Sequence, residues 1–278
     1  MATIAPASPA AAAASVSAPA IPVAATRVGR ALVPWLVPAV ILVVWQILSM
    51  RGIIAARVLP APLSVAEAGW KLLTQGDLLL DVAISARRAF IGLLIGGGIG
   101  FLLGLINGFF PWGARLLDSS VQMGRNIPHL ALIPLVILWF GIGETSRIFL
   151  VAIGVAFPIY INTYHGVRSV DPGLIEMSRT YGLTTWQMFR QVILPGALPS
   201  ILVGLRYALG IMWLTLIVAE TIAATSGIGY VTMNAREFLQ TDVLVLGILL
   251  YALLGKAADV AARGLERKLL AWSPAYAH

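Results

Sequence analysis

Residues 176–195 read EMSRTYGLTTWQMFRQVILP, a polar segment in a chain that is 59% hydrophobic and 11% charged. Together with the residues just before it, the segment predicts two short helices separated by a hinge. Asp171 provides an N-cap acceptor, and Pro172 has the preset φ of a first helical position. Gly182 predicts the left-handed conformation that ends the first helix.

The second helix of the segment begins directly after this hinge. Thr184 and Gln187 have the spacing of a capping box, in which each side chain bonds to the backbone of the other residue. Because the residue before a proline avoids the α region, we expect Pro195 to end the helix. Both helices are too short and too polar to cross a bilayer.

Each short helix carries an apolar stripe on a polar surface. The stripe residues are Leu174, Met177 and Tyr181 on the first helix and Trp186, Phe189 and Ile193 on the second. This spacing places each set on one helix face. The amphipathicity alone leaves two interpretations open: a docking face for a partner protein, or a linker that lies on lipid headgroups.

The same segment matches a family motif. The matching positions are Glu176, Gly182, Val192, Leu194 and Pro195. Their spacing resembles the EAA loop of ABC-importer permeases, which implies a cytoplasmic coupling helix that fits a groove on an ATPase subunit. Met177-Ser178 stands where the family usually has two alanines, and Val192 where it has isoleucine. The residues that the resemblance assigns to ATPase coupling are Glu176, Ser178, Tyr181, Gly182, Trp186, Phe189, Leu194 and Pro195.

The composition of the whole chain identifies the class of protein. A mean hydropathy of +0.90 and so few charges are far from soluble proteins, in which about a quarter of residues are charged. Lipid tolerates only helices and closed barrels, and the apolar runs are too long for barrel strands. The sequence therefore predicts an all-α membrane protein with six transmembrane helices. The predicted spans are about 31–50, 89–110, 117–141, 147–167, 198–221 and 243–262.

The predicted domain organisation has one folded unit. Residues 1–30 form a disordered cytoplasmic tail, because 1–26 are rich in Ala, Pro and Ser and lack the positive start of a secretory signal. Residues 31–270 form the transmembrane permease domain, with the coupling loop at 171–195. Residues 271–278 form a second tail.

The charge distribution gives only a weak indication of topology. The net charge of +7 lies along the flanks of the spans, which fits the positive-inside bias better than nucleic-acid binding. With both termini inside, ten Lys and Arg residues fall on inner segments and seven on outer segments. The cytoplasmic side of the coupling loop is therefore implied by the family resemblance more than by charge.

Glycines recur every four residues along the second predicted span. This ridge consists of Gly92, Gly96, Gly100, Gly104 and Gly108. The spacing places them on one helix face, where another backbone can approach closely. We interpret the ridge as a helix-packing surface; the alternative is a sliding surface for conformational change.

Polar residues within or near the spans are candidates for a translocation pathway. They are Asn126, His129, Asn162, Arg206 and Glu220. A central charge costs at least ~2.5 kcal/mol on insertion scales, so such side chains usually face the bundle interior.

The two arginines within or near spans, Arg125 and Arg206, each have three structural alternatives to a pathway role. The side chain could snorkel to the headgroups, pair with a carboxylate such as Asp118 or Glu220, or cap a carbonyl freed by Pro128. We expect a structural role for Arg125 and leave that of Arg206 open.

The sequence lacks the motifs of common catalytic sites. There is no G-x-x-x-x-G-K-[ST] phosphate loop, no G-x-S-x-G nucleophile elbow and no H-E-x-x-H metal motif. The three histidines have no ligand spacing to one another or to nearby carboxylates. We therefore predict no catalytic, cofactor or metal site in this chain. ATP and Mg would bind to a separate ATPase subunit.

A wider resemblance covers roughly residues 32–275. The matching segments are 125–134, 139–143, 157–162, 176–195, 204–210, 219–221, 226–229 and 234–242. They resemble permeases of bacterial aliphatic-sulfonate ABC importers, in a group that includes taurine and nitrate permeases. The resemblance implies the type I ABC importer permease (MetI-like) architecture with cytoplasmic EAA coupling helices.

The resemblance also implies partners and a location. Two copies of the chain would form the pathway, two ATPase subunits would dock at the coupling loops, and a periplasmic binding protein would deliver substrate. The location would be the bacterial inner membrane, with both termini cytoplasmic and no nucleic acid bound. Importers of taurine, nitrate or another small organic anion are alternatives. A secondary transporter would normally show intramembrane carboxylates and paired repeats, and only Glu220 lies at a span end. A membrane scaffold would not need the EAA spacing.

Overall fold

The computed structural model describes residues 23–222 and 224–272, and within these ranges the chain is helical and has no β-strand. The helices are α1 Val23–Met50, α2 Pro62–Gln75, α3 Leu78–Phe109, α4 Pro111–Gly113, α5 Ser119–Arg125, α6 Ile133–Phe140, α7 Glu144–Arg168, α8 Pro172–Thr180, α9 Thr185–Met188, α10 Leu194–Thr221, α11 Ile228–Glu237 and α12 Thr241–Leu269. The same ranges include the π-helical turns Ala114–Asp118 and Phe189–Ile193 and the 3₁₀ turn His129–Leu132. The predicted all-α class is confirmed.

The core of the bundle lies where α7 packs between α3 and α10. Val151 and Val155 of α7 are fully buried in one cluster with Ala89 of α3 and Met212 of α10. α12 adds Tyr251 to this cluster from the far side of α10. Apolar burial of this kind leaves the outward faces of α3 and α12 exposed, as expected for surfaces in contact with lipid.

The directions of the helices define two ends of the bundle. α3 and α7 run parallel, because successive glycines from Gly92 to Gly108 meet successive residues of α7 from Val151 to Val167. α10 runs the opposite way, since Glu220 near its end contacts Arg88 in the first half of α3. We call the end with this pair the Glu220 end. The opposite end, named after the hinge between α8 and α9, is the Gly182 end.

The glycine ridge joins the backbones of α3 and α7. A Cβ at Gly96 would overlap the carbonyl oxygen of Ala152, and a Cβ at Gly104 would lie 2.7 Å from that of Tyr160. The ridge glycines that face α7 in the same way are Gly92, Gly100 and Gly108. Gly98, on the same helix, has nothing within 4 Å of the position of a Cβ. The ridge geometry is that of tight packing.

The count of spans is lower in the structure than in the sequence prediction. Within the described ranges, four helices are long and apolar enough to cross a membrane: α3, α7, the continuous helix Thr185–Thr221 and α12. α5 and His129–Phe140 form a bent pair that makes a fifth span if counted as one. The described apolar part of α1, Leu36–Met50, is shorter. Six spans therefore stay a prediction.

Two helices begin before the predicted spans. α1 begins at Val23, inside the predicted tail 1–30, and α3 begins at Leu78 rather than at 89. The added turns of α3 include Asp81 and Arg88, whose charges place them outside an apolar span in the sequence prediction. In the folded chain these charges meet opposite partners or N–H donors at the Glu220 end. Residues 1–22 and 273–278 of the two predicted tails lie outside the described residues.

The third predicted span, 117–141, is broken in the structure. α5 ends at Arg125, helical structure resumes at His129, and the two parts are bent by 81°. Pro128 lies in the break with an extended ψ of 109°. A proline disfavours the α conformation in the residue before it, which accounts for a break at this position. We call residues 126–128 the elbow.

The helix predicted to end at Pro195 continues through this residue. In the π-helical turn Phe189–Ile193, the N–H of Leu194 donates to the carbonyl of Phe189, five residues earlier. The wider turn removes the clash between a proline ring and the carbonyl four residues before it. The prediction was wrong, and the coupling segment is continuous with a span.

Candidate functional site

The coupling segment, residues 171–195, contains the capped helices that the sequence predicts. The Asp171 carboxylate accepts from the backbone N–H two residues on, at 2.8 Å, and caps α8. Gly182 has a φ of +73°, the left-handed region that favours glycine. Thr184 and Gln187 form both hydrogen bonds of a capping box at the start of α9. The predicted caps and hinge are confirmed.

Four of the six stripe residues of the coupling segment are exposed. The exposed members of the two stripes are Leu174, Met177, Tyr181 and Trp186. Glu176 is exposed beside them. Ser178 is different, because it is buried and its hydroxyl donates to the carbonyl of Ile175 at 2.7 Å. Ser178 therefore stabilises α8 and offers no surface to a partner in this structure.

The remaining stripe residues anchor the segment to the bundle. Phe189 packs edge-on against Phe109 of α3, with ring centroids 5.5 Å apart, and Trp186 stacks on Phe189. Ile193 is buried in a cluster with Val167 of α7. The half-buried positions that follow are Leu194 and Pro195. The segment is thus fixed to α3 and α7 and continues into α10.

A second polar site lies at the Glu220 end. Arg88 of α3 is fully buried, and its guanidinium donates to Glu220 of α10 at 2.7 Å. The same guanidinium donates to Glu144 at the start of α7, with 2.9 Å from Nε to a carboxylate oxygen. It also donates to the carbonyl and hydroxyl oxygens of Ser226, each at 2.8 Å. One buried arginine thus connects three helices and the loop before α11.

Glu220 is fully buried as well and accepts from neutral donors on three elements. The hydroxyls of Ser85 and Tyr251 donate to it at 2.8 Å, and the N–H of Gly229 at 3.0 Å. A charge is tolerated in such a place when it is both paired and hydrogen-bonded. We call this set the polar network; its side chains are Ser85, Arg88, Glu144, Glu220, Ser226 and Tyr251.

The loop before α11 requires a glycine against the polar network. Gly227 has a φ of +100°, and a Cβ there would lie 2.6 Å from atoms of Arg88 and Glu220. Its N–H donates to the Asp81 carboxylate at 2.6 Å. Backbone and side-chain groups of this loop are therefore hydrogen-bonded to α3, and Gly227 packs closely against Glu220 of α10.

Two of the five predicted pathway residues form ion pairs instead. Glu220 lies in the polar network, away from the elbow. Arg206 donates to Asp259 of α12 at 2.9 Å, which answers the question of its partner. Lys256 also lies 3.8 Å from Asp259, as their spacing in the sequence suggests. In this structure, ion pairs therefore hold the side chains of both Glu220 and Arg206.

The other pathway candidates lie at or near the elbow. His129 and Asn162 line a cavity of about 360 Å³ together with Arg125, for which the sequence prediction is a structural role. Asn126 is exposed within the elbow itself. The structure thus brings two predicted pathway residues together around an arginine. In the described part of the chain, no group of three or more His, Asp or Glu side chains could hold a metal ion.

Residues 96–271 match the family model of the binding-protein-dependent transport system inner membrane component. The chain belongs to this family. The permease is 62% identical to the putative aliphatic sulfonates transport permease protein of Escherichia coli strain K12, over 87% of this chain and 92% of that protein. A protein of the same description from Bacillus subtilis strain 168 is 46% identical, over 87% of each chain.

A solved structure supports the same assignment of fold. The permease aligns with a chain of the MetNI methionine ABC transporter in an inward-facing conformation with a TM-score of 0.50 and 25% identity. The alignment covers 71% of the permease and 97% of that chain. The predicted type I importer architecture is therefore confirmed. The permease is a non-catalytic inner membrane component of an ABC importer, and a separate subunit hydrolyses ATP.

Of the polar network, only Glu220 is among the site residues predicted from the sequence, and there it is a pathway candidate. The charge count treats Arg88 as part of an outer segment, and neither Glu144 nor Tyr251 is among the predicted site residues. A usable indication was present, because Asp81, Ser85 and Arg88 recur at intervals of four and three residues. That spacing places the three polar side chains on one face of a helix. Extending the second span towards its N-terminus would have found them.

Proposed function

We propose that the permease imports aliphatic sulfonates. The observation that carries this proposal is the 62% identity to the putative aliphatic sulfonates transport permease of Escherichia coli, which extends over most of both chains. A periplasmic binding protein would supply most of the substrate affinity, so the permease needs to provide a route rather than a tight site. Import of taurine, nitrate or another small organic anion by the same architecture is the alternative.

The coupling segment would dock on the ATPase at the cytoplasmic face. Its exposed apolar side chains support this, since Tyr181 is 75% and Trp186 66% exposed on capped helices that are themselves held by the bundle. Apolar surface of this kind gains free energy when a partner covers it. ATP and Mg would bind only to that partner. Both termini of the permease would then be cytoplasmic.

A second copy of the permease would complete the pathway. Arg125 and Asn126 are exposed at the elbow of a membrane span. A charge that faces lipid inside a bilayer is costly, so such residues normally face other protein or a water-filled cavity. A homodimer in which the two elbows face a shared space would satisfy this requirement. Two ATPase subunits would then dock at the two coupling segments.

The substrate assignment is tested by transport in proteoliposomes. The permease is reconstituted with its ATPase and binding protein, and ATP-dependent uptake is measured for alkanesulfonates, taurine and nitrate in parallel. We expect uptake of alkanesulfonates to exceed that of the other two anions. Uptake of taurine or nitrate without uptake of alkanesulfonates would overturn the assignment and leave the importer architecture intact.

The topology is tested by cysteine labelling, for which the chain has no cysteine background. Thr180→Cys lies in the coupling segment, where the residue is exposed, and Thr225→Cys lies in the loop at the Glu220 end, where the residue is exposed as well. A membrane-impermeant maleimide should label the first only in inside-out vesicles and the second only in right-side-out vesicles. Labelling of both from one side would refute the proposed topology.

A further inference from the structure

We propose that the cavity at the elbow is a substrate site, in which Arg125 binds the anionic head group and apolar side chains contact the aliphatic tail. This inference rests on the proposed function, because it names the place in the permease where an alkanesulfonate is held during passage. The cavity has a volume of about 360 Å³, within the range of roughly 300–1,000 Å³ of ligand pockets.

The cavity lies at mid-depth of the bundle. It is lined by Pro158, which follows Glu144 by 14 residues in the 25-residue helix α7. At about 1.5 Å per residue, this places the cavity about 21 Å along a helix of about 37 Å. Sites built from broken helices near the membrane midplane are common in transporters, because the break frees backbone groups where a substrate passes.

Arg125 has the charge that an anion requires. Among the side chains that the structure describes, none forms a hydrogen bond or ion pair with Arg125, and its side chain is exposed to the cavity. Arg206 differs, because Asp259 already lies 2.9 Å away and Glu266 4.0 Å away. Of the two arginines within spans, Arg125 is therefore the one whose positive charge is available to a ligand.

Neutral polar groups surround this charge. His129 is held by a hydrogen bond of 3.0 Å to Thr215, and the Asn162 amide donates to the Pro158 carbonyl at 2.9 Å. Both side chains line the cavity, and each is fixed by one hydrogen bond to the helices around it. No Asp or Glu lines the cavity among the described residues, so nothing there repels an anion.

The remaining wall suits an aliphatic tail. Phe157, Ile161 and Ile211 line the cavity on the side of α7 and α10. A sulfonate with a short alkyl chain has one charged end and one apolar end, which matches a cavity with one cation and a largely apolar wall. Burial of each methylene group contributes favourably to binding, so longer chains should use more of this wall.

The charge is tested with Arg125→Gln in the reconstituted importer, with hexanesulfonate as the probe. We expect the uptake rate at low substrate to fall roughly tenfold or more, because a charge-assisted hydrogen bond is replaced by a neutral one. ATPase activity stimulated by the binding protein should persist, and Arg125→Lys should restore part of the uptake. Arg115→Gln, an exposed arginine before α5, is the matched control and should transport normally.

The apolar wall is tested through chain length. Ile211→Phe adds volume to the wall and should reduce uptake of octanesulfonate more than that of ethanesulfonate. A purely structural defect would reduce both to the same extent. If Arg125→Gln does not assemble, the ratio of octanesulfonate uptake to ethanesulfonate uptake in Ile211→Phe decides by itself whether the cavity binds substrate.

The outcomes for the site and for the function are separable. Failure of the wild-type permease to import any alkanesulfonate refutes the proposed function. If the wild type imports them, normal kinetics in Arg125→Gln or an unchanged chain-length ratio in Ile211→Phe refutes the elbow site alone. Loss of charge-dependent uptake together with a shifted ratio supports it.

Discussion

The two ends of the bundle are built in opposite ways. At the Glu220 end, charged side chains are buried and their partners are distant in sequence: Arg88 pairs with residues 56 and 132 positions away. At the Gly182 end, the contacts that shape the coupling segment span two or three residues, as in the capping box of Thr184 and Gln187. Large apolar side chains such as Trp186 remain exposed there.

Because of this difference, we expect the Glu220 end to determine the stability of the fold and the Gly182 end to determine coupling to the ATPase. A buried charge tolerates no loss of its partner, so the Glu220 end acts as a fixed frame for α3, α7 and α10. Exposed apolar surface at the Gly182 end contributes little to folding, because it becomes buried only when a partner docks. Substitutions at the Glu220 end should therefore impair assembly, and substitutions at the Gly182 end should impair transport by a well-folded permease.

The largest effect is expected for Arg88→Met, which leaves the buried Glu220 without the cation bound to it. Breaking a buried ion pair from one side costs about 3–5 kcal/mol. We expect little folded permease in the membrane and a strongly lowered unfolding temperature in detergent. Arg87→Met is the matched control, since the Arg87 side chain is 65% exposed and lies 3.7 Å from Glu144. It should behave almost as the wild type.

The double variant Arg88→Met/Glu220→Met sharpens this test. Replacing both members of a buried pair by apolar residues is often neutral, so the second substitution should recover part of the lost stability. Wild-type stability of Arg88→Met alone would show that the polar network does not hold the frame together.

The next effect concerns the ridge that connects the two ends. Gly96→Ala forces a Cβ against the backbone of Ala152, and overpacking of this kind costs typically about 1–3 kcal/mol. Gly98→Ala, half a turn away, meets nothing within 4 Å. We expect a lower unfolding temperature for the first variant and an unchanged one for the second. Equal effects of the two would mean that α3 and α7 do not meet along the ridge.

The sequence predicted the Gly182 end well because its structure is local. Asp171, Gly182 and Thr184 act on backbone groups within a few residues, and each such interaction has a recognisable spacing. At the polar network, local spacing places only Asp81, Ser85 and Arg88 on one helix face, and it does not identify their partners. Whether Arg88 is an exposed charge or a buried one depends on Glu220, which only the packing of α3 against α10 brings close.

The elbow and Pro195 show a second limit of local rules. The rule that the residue before a proline avoids the α region applies equally to Pro195 and to Pro128, and the structure has a break only at Pro128. Around Pro195, the extra residue of a π-helical turn accommodates the ring, while at Pro128 the chain leaves the helix. The outcome depends on which conformation buries the neighbouring residues, and Ile193 is buried.

A smaller effect on stability is expected at the hinge of the coupling segment. Gly182→Val places a β-branched residue at a φ of +73°, which costs about 1–2 kcal/mol in the left-handed region. Because the segment is short and exposed, the unfolding temperature should change little. Copurification of the ATPase and ATP-driven uptake should be lost, while the binding protein retains its affinity for ligand.

Gly182→Asn is the matched control for this hinge. Asparagine adopts the left-handed conformation more readily than other residues, so this variant should keep most of the uptake. Normal import by Gly182→Val would show that the hinge does not depend on the conformation of this residue.

The smallest effect is expected for Arg206→Gln. Arg206 and Asp259 form an ion pair between α10 and a neighbouring helix, as Arg88 and Glu220 do between α10 and α3, but their side chains are 46% and 30% exposed. Without Arg206, Asp259 still has Arg263 at 2.5 Å and Lys256 at 3.8 Å. Because these two cations remain near Asp259, the unfolding temperature and the uptake rate should both stay close to the wild-type level.

The informative outcome for Arg206→Gln is a loss of stability as large as that of Arg88→Met. A large loss requires that the pair be buried in the assembled importer, because only desolvation gives an ion pair that much weight. Lipid can cover a surface that is exposed in one chain, but a second copy covers this side of α10 and α12 only in the assembled importer. In that case the loss should occur in the assembled importer and not in the isolated permease chain. Unfolding measured on both would therefore distinguish a pair buried between copies from a pair that matters within one chain.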